Sequence, residues 1–152
     1  MRWIKVRRFS PVNLSPGAYL QAAKMLSSPS PPATIIVVED DTSLRDALRF
    51  ALEVDGYQVI SCASGEALLD LDLPESSACL VIDQNLGGRS GLTGLATLGE
   101  LRARGARIPA VLITSAASTE LRVRAMQRQA QVIEKPLLND ALLAAIRSGI
   151  AA

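Results

Sequence analysis

The chain has 152 residues, of which 49% are hydrophobic and 20% are charged, so it can bury the core of one ordinary domain. It contains no histidine, which excludes a histidine-based triad and any histidine-ligated metal. Its two cysteines, Cys62 and Cys79, have no CxxC spacing and lie among apolar residues. We therefore predict reduced core thiols, no transition-metal site, and a cytoplasmic protein.

The net charge of +1 hides an uneven distribution. All 15 acidic residues lie from Glu39 onward, whereas five of the 16 basic residues precede residue 34. The remainder is mildly acidic, so we expect no direct nucleic-acid binding by this chain. Its apolar runs are too short for a membrane span, and Pro11 and Pro16 interrupt any secretion signal.

Residues 1–33 differ in composition from the rest. Residues 27–32 read Ser-Ser-Pro-Ser-Pro-Pro, a composition typical of linkers. We expect residues 1–33 to form a basic, Pro/Ser-rich extension that is flexible or partly helical around residues 18–26, and residues 34–150 to form the folded domain.

From residue 34 onward, short apolar runs alternate with helical patterns. The runs are rich in β-branched residues, as in strands buried on both faces of a parallel sheet. Predicted strands cover residues 35–38, 57–60, 79–82, 110–113 and 132–133. Predicted helices cover residues 44–52, 65–71, 92–101, 118–129 and 138–148. Five such units predict an α/β domain with a doubly wound parallel sheet and helices on both faces.

The first helix shows the pattern most clearly. Leu44, Ala47, Leu48, Ala51 and Leu52 form one apolar stripe at helical spacing. We predict that Thr42 or Ser43 caps its start and that Gly56 ends it.

Polar residues follow four of the strands: the pair Glu39 and Asp40, then Asp83, Thr114 and Lys135. Ligands of open parallel sheets bind outside the carboxyl ends of the strands. Clustered carboxylates repel one another unless a cation lies between them, and oxygen donors alone favour Mg²⁺. A lysine and a hydroxyl beside Mg²⁺ suit phosphoryl oxygens, and a neighbouring carboxylate can form an acyl phosphate.

These residues also match a family. Residues 34–150 resemble bacterial response-regulator receiver domains through four motifs in order, each at a strand end and at close to the family's spacing. The motifs are Val-Val-Glu-Asp-Asp at 37–41, Val-Ile-Asp-Gln-Asn-Leu at 81–86, Leu-Ile-Thr-Ser at 112–115 and Ile-Glu-Lys-Pro at 133–136. The resemblance implies a flavodoxin-like fold of the chemotaxis-regulator type with strand order 2-1-3-4-5.

The resemblance also implies a role for each polar residue. Asp83 would accept a phosphoryl group from a partner histidine kinase or phosphotransfer protein, Thr114 would be the switch hydroxyl, and Lys135 would bind the phosphate. Such a chain is a signalling domain rather than an enzyme. In the family the peptide bond before Pro136 is usually cis.

The same resemblance implies a Mg²⁺ site. Its ligands would be Glu39, Asp40, Asp83 and the backbone carbonyl of Asn85. Which two residues of the acidic run bind the metal stays open, because Asp41 can instead serve the N-terminus of the next helix.

Two positions depart from the family pattern. The family usually has Phe or Tyr three residues before the lysine, where this chain has Val132, and commonly has proline where this chain has Gly87. Valine is too short to move between wet and buried positions with much change in area. We therefore predict readout through loop and fourth-helix shifts, or through a homodimer formed by the face of the fourth helix, fifth strand and last helix. Gly87 predicts a more mobile loop and less efficient phosphorylation.

Two alternative functions remain open. One is that the chain is the receiver part of a longer DNA-binding transcriptional regulator, and the other is that it is a receiver-like interaction module that is not phosphorylated. An Asp-nucleophile phosphatase fits less well, because Asn85 replaces the second aspartate of that motif.

Overall fold

The computed structural model describes residues 15–26, 32–88, 90–137 and 140–152. The chain divides into two compact units, residues 1–31 and residues 32–152. The first unit contains helix α1 (Pro16–Leu26), which covers the predicted helical segment. Its first turn begins at Ser15, whose hydroxyl accepts a hydrogen bond from the Ala18 N–H at 3.3 Å. Most of the predicted linker, residues 27–31, lies outside the described residues.

The second unit alternates strands and helices as the sequence predicts. The elements are β1 (Thr34–Val38), α2 (Thr42–Val54), β2 (Gln58–Cys62), α3 (Gly65–Leu69), β3 (Ala78–Asp83), α4 (Gly94–Ala103), β4 (Ala110–Thr114), α5 (Thr119–Gln127), β5 (Ala130–Glu134) and α6 (Ala141–Ala151). All neighbouring strands are parallel, in the order β2-β1-β3-β4-β5. The predicted doubly wound fold and its strand order are confirmed.

Alternate side chains of the central strands pack into two apolar layers, one on each face of the sheet, because successive residues of a strand point to opposite faces. One layer joins the sheet to α3, α4 and α5 and contains Ile36, Val38, Leu80, Ile82, Leu98, Leu112 and Ala125. The other joins it to α2 and α6 and contains Ile35, Val37, Leu52, Val81, Val111, Ile113 and Ile146. Helices therefore cover both faces, and the polar site is restricted to an edge of the sheet.

The start of α2 differs from the prediction. Asp41, rather than Thr42 or Ser43, is the N-cap, and its Oδ1 accepts a hydrogen bond from the Leu44 N–H at 2.8 Å. A carboxylate suits this position because it satisfies a free helix N–H and also lies at the positive end of the helix dipole. The helix is followed by Gly56 at φ 91°, as predicted.

The apolar stripe of α2 is narrower than predicted. Leu48 and Leu52 are buried, but Ala47 and Ala51 are exposed. Alanine spacing alone does not distinguish a core face from a solvent face, because alanine has the best helix propensity wherever it lies.

The last helix begins later than predicted, at Ala141 rather than at residue 138. Its buried residues are Leu142, Ala145 and Ile146, and residue 138, where the predicted helix starts, lies outside the described residues. No helix in the described part of the chain is long and apolar enough to cross a membrane.

Candidate functional site

Strand register brings the predicted site residues to one edge of the sheet. Val38 is level with Ile82, which places Glu39 beside Asp83. Thr114 ends β4 opposite Glu134 of β5, one residue before Lys135. The carboxyl ends of four strands therefore meet, as expected for a ligand site in a parallel sheet.

Three carboxylates form the centre of this edge. One oxygen from each of Glu39, Asp40 and Asp83 lies within 4.8 Å of the other two. Glu39 and Asp83 are only 2% and 3% exposed, whereas Asp40 is exposed. Burial, assisted by the hydrogen bond and charge of Asp83, raises the pKa of Glu39 to about 7. The chain thus concentrates negative charge where water cannot fully solvate it.

Lys135 is the cation that faces this cluster. Its Nζ lies 3.1 Å from Asp83 Oδ2 and 3.6 Å from Glu39 Oε2. Its backbone N–H donates to the Thr114 carbonyl at 2.8 Å, and its peptide bond to Pro136 is cis. Burial lowers the pKa of Lys135, but the hydrogen bond to Asp83 and the negative charges of Asp83 and Glu39 outweigh it and raise that pKa above its ordinary value.

One lysine does not satisfy all the acceptors. Glu39 Oε1 accepts the Asp41 N–H at 3.2 Å, but Glu39 Oε2 is buried and accepts no hydrogen bond from any residue that the structure describes. Buried polar atoms are nearly always paired. A clustered, all-oxygen donor set in which one buried oxygen accepts no hydrogen bond fits a hard divalent cation such as Mg²⁺.

Thr114 and Asn85 flank the phosphoacceptor candidate in different ways. Thr114 is 3% exposed, and its hydroxyl donates to the Ala116 carbonyl at 3.2 Å rather than to a carboxylate. The Asn85 N–H donates to Asp83 Oδ1 at 3.3 Å. Among the described residues, Asn85 thus donates to one oxygen of Asp83 and Lys135 to the other.

The loop after β3 is tied to the acidic pair. The Gly87 N–H donates to Asp40 Oδ2 at 3.1 Å. Burial raises the pKa of Asp40, but this N–H and further hydrogen bonds outweigh the burial and lower that pKa below its ordinary value. The predicted loop mobility at Gly87 is not tested by this contact, but the contact gives the glycine a bonding partner.

Three residues that support the site were not predicted. Arg45 donates from Nη1 to the Glu39 carbonyl at 2.7 Å, and Gln84 accepts the Leu95 N–H through Oε1 at 2.9 Å. Gly94 approaches Asp83 so closely that a Cβ there would lie 2.3 Å from the Asp83 carbonyl oxygen. Of these three residues, only Gln84 could have been linked to the site from the sequence, because it directly follows Asp83.

Val132 occupies the place where the family usually has an aromatic residue. It is half-buried and packs against the layer of the core that holds α3, α4 and α5. No Phe, Tyr or Trp follows Tyr57 in the chain, so no aromatic side chain from the later strands is available to take its place.

Comparison with known proteins agrees with this geometry. Residues 35–147 match the family model of the response regulator receiver domain. The chain is 36% identical over 115 residues to the transcriptional regulatory protein FixJ of Azorhizobium caulinodans, covering 75% of this chain and 53% of FixJ. It is 34% identical over 118 residues to nodulation protein W of Bradyrhizobium diazoefficiens, covering 77% of this chain and 51% of that protein. The chain thus spans about half the length of these curated relatives.

Solved structures show the same architecture. The response regulator StyR superposes with a TM-score of 0.71 at 34% identity, over 79% of this chain and 60% of StyR. The non-phosphorylated HemR receiver domain of Leptospira biflexa superposes with a TM-score of 0.70 at 24% identity, over 79% of this chain and 95% of that domain, and supports the fold alone. The chain belongs to the response regulator receiver domain family, whose members are signalling domains of two-component systems.

Proposed function

We propose that Asp83 accepts a phosphoryl group from a histidine kinase or phosphotransfer partner in a Mg²⁺-dependent reaction. The observation that carries this proposal is the position of the Asp83 carboxylate, 3.1 Å from Lys135 Nζ and within 4.8 Å of the oxygens of Glu39 and Asp40. The partner must supply the phosphohistidine, because this chain has no histidine.

The transfer needs little from the protein beyond positioning and charge. One Asp83 oxygen attacks phosphorus and forms the acyl phosphate. The phosphorus–nitrogen bond of the donor breaks, and its electron pair stays on the imidazole. Lys135 would stabilise the negative charge on the phosphoryl oxygens during the transfer, because its Nζ already contacts Asp83 Oδ2.

The metal ligands would be Glu39, Asp40, Asp83 and the Asn85 backbone carbonyl. When bound, Mg²⁺ neutralises charge on the phosphoryl oxygens. The buried Glu39 Oε2, which accepts no hydrogen bond from the described residues, and the clustering of the three carboxylates support this assignment.

The Thr114 hydroxyl would report phosphorylation. It now donates to Ala116, and it would turn to a phosphoryl oxygen and pull the loop before α5 with it. Val132 has too little area to act as the usual aromatic switch. The signal would leave through this loop and α5, or through a homodimer on the α5–β5–α6 face. Val123 and Met126 of α5 are 43% and 69% exposed, which supports that face as a contact surface.

The proposal is tested by incubating the chain with acetyl phosphate and Mg²⁺ and measuring intact mass. We expect one phosphoryl adduct in the wild type, none in Asp83→Asn, and none with EDTA. Asp72→Asn is the matched control, because Asp72 is exposed and precedes β3, at the opposite edge of the sheet; it should retain the adduct. An adduct that survives Asp83→Asn would refute the assignment.

A second candidate is that this chain acts as the receiver part of a transcriptional regulator. It is supported by relatives that carry the name transcriptional regulatory protein and of which this chain spans about half. Sequencing the gene beyond codon 152 would test it, and the absence of any coding sequence for a further domain would exclude it.

A further inference from the structure

Gly87 stands where the resemblance to receiver domains leads us to expect proline, and its backbone N–H is used. That N–H donates to Asp40 Oδ2 at 3.1 Å, across 47 residues of sequence. Proline has no N–H to donate. Glycine at this position therefore gives the acidic cluster a backbone hydrogen bond that a receiver domain with proline at the same position cannot make.

Asp40 needs such a bond more than its neighbours do. Glu39 and Asp83 are held by the surrounding protein, since both are almost fully buried. Asp40 is exposed, and two carboxylates within 4.8 Å repel it. An ionised carboxylate has room for about four hydrogen bonds or ligands, so the bond from Gly87 does not by itself occupy the oxygen lone pairs that a metal would use.

A side chain at position 87 would meet the same carboxylate. A Cβ there would lie 2.9 Å from Asp40 Oδ2, which ends an exposed side chain, so a small shift of that carboxylate accommodates alanine. Gly88 lies equally close to a different carboxylate, because a Cβ at position 88 would lie 2.9 Å from Glu66 Oε2. The loop thus rests its backbone against two carboxylates, of which only Asp40 belongs to the site.

We propose that Gly87 is a positioning residue for the metal site: its N–H holds the Asp40 carboxylate in place, so that Mg²⁺ meets a preset ligand. This inference rests on the proposed function, because it assigns Asp40 to the metal. Hydrogen bonds that hold a metal ligand in place typically change metal affinity by about 10- to 100-fold.

The test compares Mg²⁺ dissociation constants, measured by calorimetry, for the wild type, Gly87→Ala and Gly87→Pro. Both variants carry a Cβ, but only alanine keeps the N–H, so a weaker affinity of the proline variant reports the loss of the hydrogen bond together with the restricted backbone of proline. We expect Gly87→Pro to bind Mg²⁺ about 10-fold more weakly than Gly87→Ala. Gly88→Ala is the loop control and should bind within about 2-fold of the wild type, since its Cβ meets Glu66 instead.

A second measurement needs neither metal nor proline. In EDTA, amide hydrogen exchange at Gly87 should be at least about 10-fold faster in Asp40→Ala than in the wild type, because this exposed N–H loses its acceptor. Unchanged exchange would overturn the inference, as would equal or tighter Mg²⁺ binding by Gly87→Pro than by Gly87→Ala. A wild type that binds no Mg²⁺ would overturn the metal site and this inference together, whereas normal wild-type binding with equal Pro and Ala variants overturns the inference alone.

Discussion

Gly94 is the point at which α4 touches the backbone of the proposed phosphoacceptor, and Gly94→Ala should be strongly destabilising. A Cβ at this position would lie 2.3 Å from the Asp83 carbonyl oxygen and 2.9 Å from its carbonyl carbon. Ordinary contact begins at 3.4 Å, so the start of the helix must move by about 1 Å. Both contacted atoms belong to the backbone of a buried strand and cannot rotate away.

The cost follows from what that displacement disturbs. Overpacking a well-packed site costs about 1–3 kcal/mol. The shift also strains two hydrogen bonds at the helix start, from the Gly94 N–H to the Gln84 carbonyl at 3.0 Å and from the Leu95 N–H to the Gln84 side chain at 2.9 Å. We expect Gly94→Ala to lower the free energy of unfolding by about 3 kcal/mol, measured by urea denaturation with far-UV circular dichroism.

Gly99→Ala in the same helix is the matched control. Its Cβ would lie 2.8 Å from Arg128 Cζ, but that atom ends a flexible side chain that can swing aside. Alanine in place of glycine inside a helix contributes up to about 1 kcal/mol, which offsets the loss of the Arg128 contact. We expect Gly99→Ala to remain within about 1 kcal/mol of the wild type. If both variants were equally stable, the argument from the Asp83 backbone contact would be refuted.

Two further predictions concern titratable groups. Glu39 binds its proton more tightly in the folded chain, at a pKa of about 7, than at its ordinary value of 4.5. In EDTA, the contribution of Glu39 to the free energy of unfolding should therefore be greatest below pH 4.5 and should fall by up to about 3 kcal/mol as the pH rises through 7. Urea denaturation of Glu39→Gln at several pH values should show this part of the pH dependence removed. An unchanged pH dependence of stability would contradict the assignment. Burial raises the pKa of the Cys79 thiol to about 11, and Cys62 is also buried. Iodoacetamide near neutral pH should therefore label neither thiol until urea unfolds the chain. Rapid labelling of the native protein would contradict this prediction, because it would show that one thiol is accessible.

Much of the fold was predictable because its information is local. The central strands β1, β3 and β4 are buried almost along their whole length, and strands buried on both faces read as uninterrupted apolar runs. Helix α2 was harder to predict in detail, since its alanines satisfy the periodic pattern whether they face the core or the solvent. Its N-cap was also misassigned, because three consecutive residues can each cap a helix and only the chain path selects Asp41.

The amino-acid sequence by itself determined the strand–helix alternation, the residues at the strand ends, and the family. Tertiary structure alone decided how those ends meet: the 3.1 Å contact of Lys135 with Asp83, the bond from Gly87 to Asp40, and the approach of Gly94 to the Asp83 backbone. The physical reason is that periodicity reports which face of an element is buried, whereas these contacts join residues of different elements and loops. They depend on strand register and on where each loop returns to the sheet edge, which no local pattern encodes.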